Sequence, residues 1–364
     1  MKLKDIISYL DSAVPLTFQE SYDNSGLQVG EPEQEVTSAL ITLDVTEKVV
    51  EEAISEGCDL ILSHHPVIFN SLKRISAKTA TERIITRAIR KNISIYSLHT
   101  NLDVSAVGVS KKMAQKLGLI NIKTLRALKG RLYKLVTYVP EDYLDKVRKA
   151  VFEAGAGVTG NYDNCGFVAE GTGSFRAGED TDPFIGEKGK LHFEKEARFE
   201  TVLYSHLRDK VVRALLESHP YEEVAYDLYS LENDNVKEGL GCTGELPEPI
   251  NEADFLGMVK KVFKAKGVRY SEPSGKNIAR VAVCGGAGSD LLRDAIAAGA
   301  DSFVTADIKY HTFQEAGNRI LLVDCGHYET EKYSEEIIYD LLVKKFPKFA
   351  LRFSKTNTNP INYL

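Results

Sequence analysis

Two adjacent histidines, His64 and His65, end the apolar segment that begins at Asp59. Imidazoles placed directly after a buried strand usually face a site rather than a core. Neighbouring residues of an extended chain point to opposite sides, so the pair cannot readily hold one ion, but each histidine can bind its own ion of a close pair. The sequence therefore predicts a metal site whose remaining ligands come from other segments.

Two further apolar segments also end in residues that bind metals. One is followed by His99 and Asp103, and the other by His327 and Glu331. His327 and Glu331 are four positions apart, so they share one face of a helix if that helix begins near Gly326. Ligands of open α/β sheets lie outside the carboxyl ends of the strands, which is where all of these side chains are expected.

These segments supply five candidate ligands, more than a closed four-coordinate zinc site uses. Because the two carboxylates can each bridge ions, a dinuclear site fits this set better than a mononuclear one. In many hydrolases, two ions about 3.5–4 Å apart clamp the attacking and leaving oxygens of a substrate, so the expected chemistry is hydrolytic. The candidate ligands are His64, His65, Asp103, His327 and Glu331.

Each candidate also has an ordinary interpretation when taken alone. An isolated histidine is more often a hydrogen-bonded core or surface residue than a ligand, and polar residues at strand ends often cap loops. It is their joint occurrence at three strand ends that favours a metal site. His99 has three interpretations of similar weight: a residue that orients a ligand, a proton shuttle, or a loop histidine without a role. We take it as the candidate for proton transfer.

Other groups are expected at the same edge, namely Asp44, the Gly285–Gly288 turn and Asp307. The glycine turn could present backbone N–H groups to a phosphate, but tight packing of a strand against a helix is the commoner use of such a turn. Elsewhere, the polar cluster His219–Glu223 could form a second ligand site or a subunit contact, although ordinary loop structure is the more frequent explanation.

Composition indicates a globular protein large enough for two domains, with 364 residues of which 43% are hydrophobic. A net charge of -6 argues against a constitutive surface for nucleic acid or anionic membranes. No apolar segment approaches the ~18 residues of a membrane span, and the amphipathic start of the chain differs from a secretory signal. The five cysteines are scattered and odd in number, so we expect neither disulfides nor a thiolate zinc site, and we expect a cytoplasmic location.

The chain changes character twice along its length. Up to residue 128, and again after about Glu245, apolar strands alternate with helical patterns, which predicts an α/β domain with a largely parallel sheet. Residues 129–239 instead predict the order β-α-β-β-α-β of a ferredoxin-like module, closed by a polar linker over residues 232–239. Because candidate ligands lie on both sides, we expect a discontinuous core of residues 1–128 and 240–364 that is interrupted by an insertion.

Five segments, taken in order, carry a resemblance to a known family. They are Ser21–Gly30, Ser63–Pro66, Ser97–Asp103, Gly285–Asp290 and Gly326–Glu331. Their combination resembles the GTP cyclohydrolase 1 type 2 homologues, also called NIF-three-like proteins, and in particular the longer members. The resemblance implies an α/β fold in which a discontinuous NIF-three-like core with mixed or parallel sheets is interrupted by a ferredoxin-like, PII- or CutA-like α+β insertion.

The resemblance also implies a function and an assembly. It places two divalent metal ions per subunit on His64, His65, Asp103, His327 and Glu331, in a toroidal homohexamer. Three histidines and two carboxylates suit zinc, iron, manganese and nickel equally. The implied activity is hydrolysis of a small polar substrate such as a nucleotide, and the alternative is a non-enzymatic metal-binding regulator or adaptor.

Overall fold

The computed structural model describes the backbone of residues 1–364 and every side chain except that of Val236. Its contacts divide the chain into two compact units. The core unit consists of Met1–Ala127 and Val236–Leu364, and the inserted unit is Leu128–Asn235. The sequence predicts boundaries after residues 128 and 239, whereas the contacts place them after Ala127 and Asn235.

The strands of both units form three sheets and are numbered here in chain order. The core unit contributes β1 Gly26–Val29, β2 Ser38–Thr42, β3 Leu60–Ser63, β4 Ser94–Ser97, β5 Ile120–Leu128, β10 Asn235–Asn251, β11 Arg269–Tyr270, β12 Asn277–Val283, β13 Ser302–Thr305, β14 Leu321–Asp324 and β15 Ala350–Phe353. The inserted unit contributes β6 Leu132–Pro140, β7 Gly166–Arg176, β8 Leu191–Tyr204 and β9 Tyr226–Leu231.

The core unit contains two mixed sheets, which agrees with the resemblance and corrects the single, largely parallel sheet predicted from the alternation of strands and helices. The first has the order β1-β4-β3-β2-β15 and the second the order β11-β14-β13-β12-β10-β5. In each sheet the central strands are parallel, whereas β1, β10 and β11 pair antiparallel with their neighbours. Each sheet also takes a strand from the opposite side of the insertion, because β15 pairs with β2 and β5 lies beside β10.

Helices cover both faces of the core sheets, as expected for parallel strands that are buried on both sides. Several begin at residues whose side chains cap them; the Thr46 hydroxyl, for example, accepts from the backbone N–H of Val49. No described helix combines the length and the apolar character that a membrane span requires. The helices are α1 Leu3–Ala13, α2 Glu47–Ser55, α3 Ala80–Arg90, α4 Thr100–Val104, α5 Val109–Lys116, α6 Leu144–Glu153, α7 Arg208–Ser218, α8 Glu252–Val262, α9 Leu292–Ala297, α10 Tyr310–Ala316, α11 His327–Glu331 and α12 Ser334–Lys345.

The largest hydrophobic cluster joins the facing sides of the two core sheets through α1, α5, α8 and α12. Leu62 of the first sheet and Val323 of the second both belong to it and are fully buried. Fully burying a side chain of this kind stabilises a fold by roughly 1.5–3 kcal/mol. This packing fixes the two sheets as one body, and with them the residues that follow their strands.

The inserted unit has the predicted order β-α-β-β-α-β. Its four strands are antiparallel in the order β7-β8-β6-β9, and α6 and α7 share a hydrophobic cluster with β6 and β8. The predicted polar linker over residues 232–239 is wrong from Asn235 onward, because β10 begins there and continues to Asn251. Backbone pairing within the second sheet, and not side-chain polarity, decides the conformation of that segment.

Candidate metal centre

Parallel pairing brings the ends of β3 and β4 to one edge of the first sheet. Ser63 lies opposite Ser97, and their hydroxyl oxygens are 2.8 Å apart. Beyond this pair, the backbone N–H of Leu98 donates to the carbonyl of Ser63. The chain therefore delivers His64 and His65 from β3 next to His99 from β4.

The second sheet delivers its ligands through a sharp turn after β14. Gly326 has φ +96°, and a Cβ atom there would lie 2.3 Å from Oε2 of Glu329, so the position requires glycine. The helix α11 starts at the next residue, which confirms the helix predicted near Gly326. Because His327 and Glu331 are one turn apart on this helix, their side chains meet, with Nε2 and Oε2 2.8 Å apart.

The Glu331 carboxylate lies at the centre of the cluster. Its Oε2 atom is 2.8 Å from Nε2 of His65, and its Oε1 atom is 3.9 Å from Nε2 of His64. Ligand atoms of these three residues all lie within 4.8 Å of one another, a spacing that could hold a metal ion. Asp103 adds a second carboxylate, with Oδ1 3.7 Å from Nε2 of His64.

Every imidazole of the cluster is held by its Nδ1 atom. A backbone carbonyl or an ionised carboxylate can only accept, so each Nδ1 must carry the proton. These contacts are all 2.7 Å long and join His64 to the Leu98 carbonyl, His65 to Asp44, His327 to Asp307 and His99 to Asp23. The Nε2 atoms of His64, His65 and His327 face the Glu331 carboxylate.

Two atoms in this cluster are buried and have no hydrogen-bond partner, namely Nε2 of His64 and Oδ1 of Asp103. Leaving such a group unpaired costs about 1–3 kcal/mol, and more when it is charged. Zinc lies about 2.0–2.2 Å from imidazole nitrogen and carboxylate oxygen, so a single ion can contact two atoms that are 3.7 Å apart. The residues present therefore fit a divalent cation.

The electrostatics of the site also favour positive charge. Burial raises the pKa of Asp103 to about 7. Burial would likewise raise the pKa of Glu331, but hydrogen bonds from the neighbouring imidazoles hold it well below its usual range. For His65 and His327, burial alone would lower the pKa, yet their carboxylate partners raise it to about 10 and about 9. Without metal, the imidazoles of His65 and His327 therefore stay protonated at neutral pH. A metal ion that binds to them would displace these protons.

Asp103 lies on the short helix α4, residues 100–104, and His99 immediately precedes that helix. Asp23 supports the start of this helix, since its Oδ2 atom accepts from the backbone N–H and the hydroxyl of Thr100. The same carboxylate holds His99, whose ring centroid is 5.4 Å from that of His64. Burial would raise the pKa of Asp23, but the bonds from His99 and Thr100 lower it strongly.

The three glycine N–H groups of the Gly285–Gly288 turn are used in packing. The N–H of Gly286 donates to the Thr330 hydroxyl and that of Gly288 to the Thr305 hydroxyl, each at 3.0 Å. The N–H of Gly285 faces the hydroxyl of Ser110 at 3.3 Å. Of the two interpretations from the sequence, packing is therefore the one that the structure supports.

A cavity of about 600 Å3 adjoins the cluster on the side of Asp103. Its lining includes three lysines, Lys111, Lys123 and Lys237, whereas Asp103 is its one acidic residue among the described side chains. Such a surplus of ammonium groups favours an anion. No sequence pattern indicates this cavity, because α5, β5 and β10 meet only in the folded unit.

All six residues singled out from the sequence thus lie together. The residues that sequence reasoning missed are those that hold the rings. Asp44 and Asp307 were expected at the same edge, but not as acceptors for His65 and His327. Asp23 precedes the first strand, and no local pattern connects it with His99, from which it is 76 positions away.

A sequence profile of the family described as Duf34/NIF3 (NGG1p interacting factor 3) matches residues 1–360 of the chain. Among curated proteins, the chain is 40% identical over 365 residues to a GTP cyclohydrolase 1 type 2 homolog of Halalkalibacterium halodurans, covering 99% of this chain and 98% of that protein. It is 37% identical to the protein of the same name from Bacillus subtilis, again covering 99% and 98%.

A solved structure has the same architecture. The crystal structure of a Bacillus cereus protein related to NIF3 superimposes with a TM-score of 0.87 at 36% identity. The match covers 100% of this chain and 99% of that one. The likeness therefore includes the core unit and the inserted unit.

Proposed function

The chain belongs to the Duf34/NIF3 family, and from this premise we propose that it is a dinuclear, divalent-metal-dependent hydrolase of a small polar substrate such as a nucleotide. One observation carries the proposal. The buried Nε2 of His64 and Oδ1 of Asp103 have no partner, and they face each other beside the Glu331 carboxylate. A cation bound between these two atoms would give each of them the partner that it lacks.

The ligands divide into two sets around Glu331. His64 and Asp103 would hold one ion together with Oε1 of Glu331, which is the oxygen nearer to His64. His65 and His327 would hold the other ion together with Oε2, from which both of their Nε2 atoms are 2.8 Å away. Glu331 would then bridge the ions, in agreement with its central position.

Two divalent ions held there would activate a water molecule and polarise the substrate. His99 is placed to move a proton, because Asp23 fixes its Nδ1 and leaves Nε2 to exchange one, and 16% of its side chain is exposed. The lysines of the adjoining cavity would bind the anionic part of the substrate. That arrangement supports a phosphorylated substrate over a neutral one.

The proposal is tested by elemental analysis of protein purified without added metal, together with a hydrolysis screen over nucleotides, phosphoesters and cyclic amides. We expect about two ions per chain, of zinc, iron, manganese or nickel. His65→Ala and Glu331→Gln should fold yet lose metal and turnover. His311→Ala is the matched control, since this exposed histidine contacts only Gln314 and Tyr310 among the described residues.

Full metal content in both ligand variants would contradict the assignment. Metal at full occupancy without turnover on any substrate would instead support the alternative, a metal-binding regulator or adaptor, particularly if folding depends strongly on the metal.

We also propose that the inserted unit is a PII- or CutA-like module and that the chain assembles in the cytoplasm as a toroidal homohexamer with a metal centre in each subunit. The resemblance of the five segments supports this assembly, and the β-α-β-β-α-β order supports the module. Native mass spectrometry at micromolar concentration should record six chains. A monomer would contradict the assembly.

A further inference from the structure

The inserted unit contains a cavity of its own, with a volume of about 310 Å3. Three aromatic rings line it: Phe175 at the end of β7, Phe184 in the following loop and Tyr221 after α7. The centroid of the Tyr221 ring is 6.0 Å from that of Phe175 and 6.3 Å from that of Phe184. The volume lies within the range of small-molecule sites, about 300–1,000 Å3.

A buried carboxylate also lines this cavity. Glu196 on β8 is only 8% exposed, and its Oε1 accepts from the hydroxyl of Tyr221 at 2.9 Å. Among the described residues, no lysine, arginine or histidine nitrogen forms an ion pair with it. Buried carboxylates are normally paired with a cation, because desolvating an unpaired charge is costly. The missing partner is therefore a feature that requires an explanation.

The backbone is shaped around this carboxylate. A Cβ atom on Gly173 of β7 would lie only 2.0 Å from Oε2 of Glu196. Glycine at position 173 thus provides the space that the carboxylate occupies, while Tyr221 fixes its other oxygen. Glu196 is held in place from both sides, which is expected of a binding group rather than of a mobile surface acid.

The charge of the lining points to the class of ligand. Glu222 and Glu223 join Glu196 around the cavity, and Arg176 is the one basic residue in its lining. Glu222 also accepts from the backbone N–H of Asp182 at 2.9 Å, a bond that secures the loop carrying Phe184. Three carboxylates against one guanidinium disfavour an anion.

The histidine of the His219–Glu223 cluster supports this wall rather than binding a ligand. Its Nε2 donates to the carbonyl of Tyr138 at 3.0 Å, and its Nδ1 accepts from the backbone N–H of Tyr221 at 3.1 Å. Both ring nitrogens are therefore used in positioning Tyr221. The cluster, for which the sequence left a second ligand site, a subunit contact and ordinary loop structure open, forms one wall of the cavity.

We propose that this cavity binds a small organic cation, an alkylammonium compound whose charged nitrogen lies against Glu196 and among the rings of Phe175, Phe184 and Tyr221. Aromatic faces attract cations and are the common recognition surface for quaternary ammonium groups. The site is independent of the metal centre in the core unit.

Binding of choline to the full-length protein, measured by isothermal titration, tests the proposal. The comparison ligand is dimethylbutanol, the uncharged analogue in which carbon replaces the ammonium nitrogen. We expect choline to bind at least about tenfold more tightly than this analogue. Glu196→Gln should weaken choline binding by at least about tenfold, because it removes the buried charge.

Glu170→Gln is the matched control, since this exposed glutamate on β7 is outside the cavity and should leave choline binding unchanged. Phe184→Leu provides a second variant if Glu196→Gln does not fold, because its ring is half exposed and its replacement should weaken binding without disturbing the core. Thermal unfolding and the metal content of each variant report whether both units remain intact.

Three results would overturn the proposal. One is that choline, tetramethylammonium and putrescine all fail to bind. Another is equal affinity for choline and its uncharged analogue, and the third is choline binding that survives both variants. If Mg2+ binds instead of the organic cations and its binding also depends on Glu196, the cavity is a metal site and the proposal is wrong.

Discussion

Gly286 lies directly against the carboxylate of Glu331. A Cβ atom on this glycine would be 2.0 Å from Oε1 of Glu331, and the residue has φ +58°. Both the close approach and the left-handed backbone require glycine at this position. The glycine turn after β12 is therefore shaped by the central carboxylate of the metal centre.

We predict that Gly286→Ala displaces Glu331 and lowers metal content, and that it destabilises the core unit by about 1–2 kcal/mol or more. Elemental analysis and chemical denaturation measure these effects. The control is Gly257→Ala on α8, where a Cβ atom meets nothing within 4 Å. That variant should instead gain roughly 0.5–1 kcal/mol, since alanine favours helix more than glycine does.

Asp44→Ala should weaken metal affinity about 10–100-fold, because it removes the acceptor that orients His65. Competition with a chelating dye measures the affinity. Asp340→Ala on α12 removes one exposed carboxylate elsewhere, whose partner is Lys112, and should leave affinity unchanged. Equal affinities of the two variants would contradict the role assigned to Asp44.

His99→Gln should reduce kcat roughly 10²–10⁴-fold while metal content stays at the wild-type level, because the residue is proposed to move a proton and not to bind an ion. If the variant instead loses metal, His99 orients or binds an ion and does not transfer a proton.

Lys111→Ala and Lys123→Ala should each raise KM for an anionic substrate about tenfold with little change in kcat, because these ammonium groups line the cavity beside Asp103. The effect should shrink at high ionic strength, where charges are screened. Lys48→Ala, an exposed change on α2, is the control. An unchanged KM in both cavity variants would remove the support for an anionic substrate.

Glu335 gives a pH dependence of stability that is independent of catalysis. Burial raises its pKa to about 7 from the ordinary value of 4.5. Between these values the folded state holds a proton that the unfolded chain has lost, so stability falls as pH rises through this range. Glu335→Gln should therefore be more stable than wild type at pH 8, with the advantage disappearing near pH 4.

Thermal unfolding of metal-free protein measures this difference. Glu336→Gln is the neighbouring control with the opposite sign: burial would raise its pKa, but Lys116 and Lys112 lower it. Replacing Glu336 should therefore reduce stability at pH 8. Parallel pH profiles for the two variants would contradict the assignment.

The candidate ligands were predictable because their signals are local. The strand over Leu60–Ser63 is a short apolar segment that ends at His64, and the four-residue spacing of His327 and Glu331 requires only one turn of helix. Parallel pairing then brings the ends of β3 and β4 to one edge of the first sheet. A few residues in sequence were enough to determine these features.

Features that depend on distant pairing were not predictable. The polar residues that begin β10 look like a linker, because nothing in their side chains indicates a place in the second sheet beside β5. β15 likewise shows no sign of its pairing with β2. The role of Asp23 as an acceptor and the position of the cavity lysines were unpredictable for the same reason. Their neighbours are set by the packing of elements that lie far apart in the chain.

The separation of His65 from Glu331 by 266 positions has a consequence for biosynthesis. A ribosome will have released the whole inserted unit before it makes α11, so the nascent chain carries only His64, His65 and Asp103 for most of translation. Its first sheet also lacks β15 until Ala350–Phe353 has been made. The candidate metal centre is therefore incomplete until α11 has been made, and a product truncated before α11 would keep an open strand edge and an incomplete set of candidate ligands.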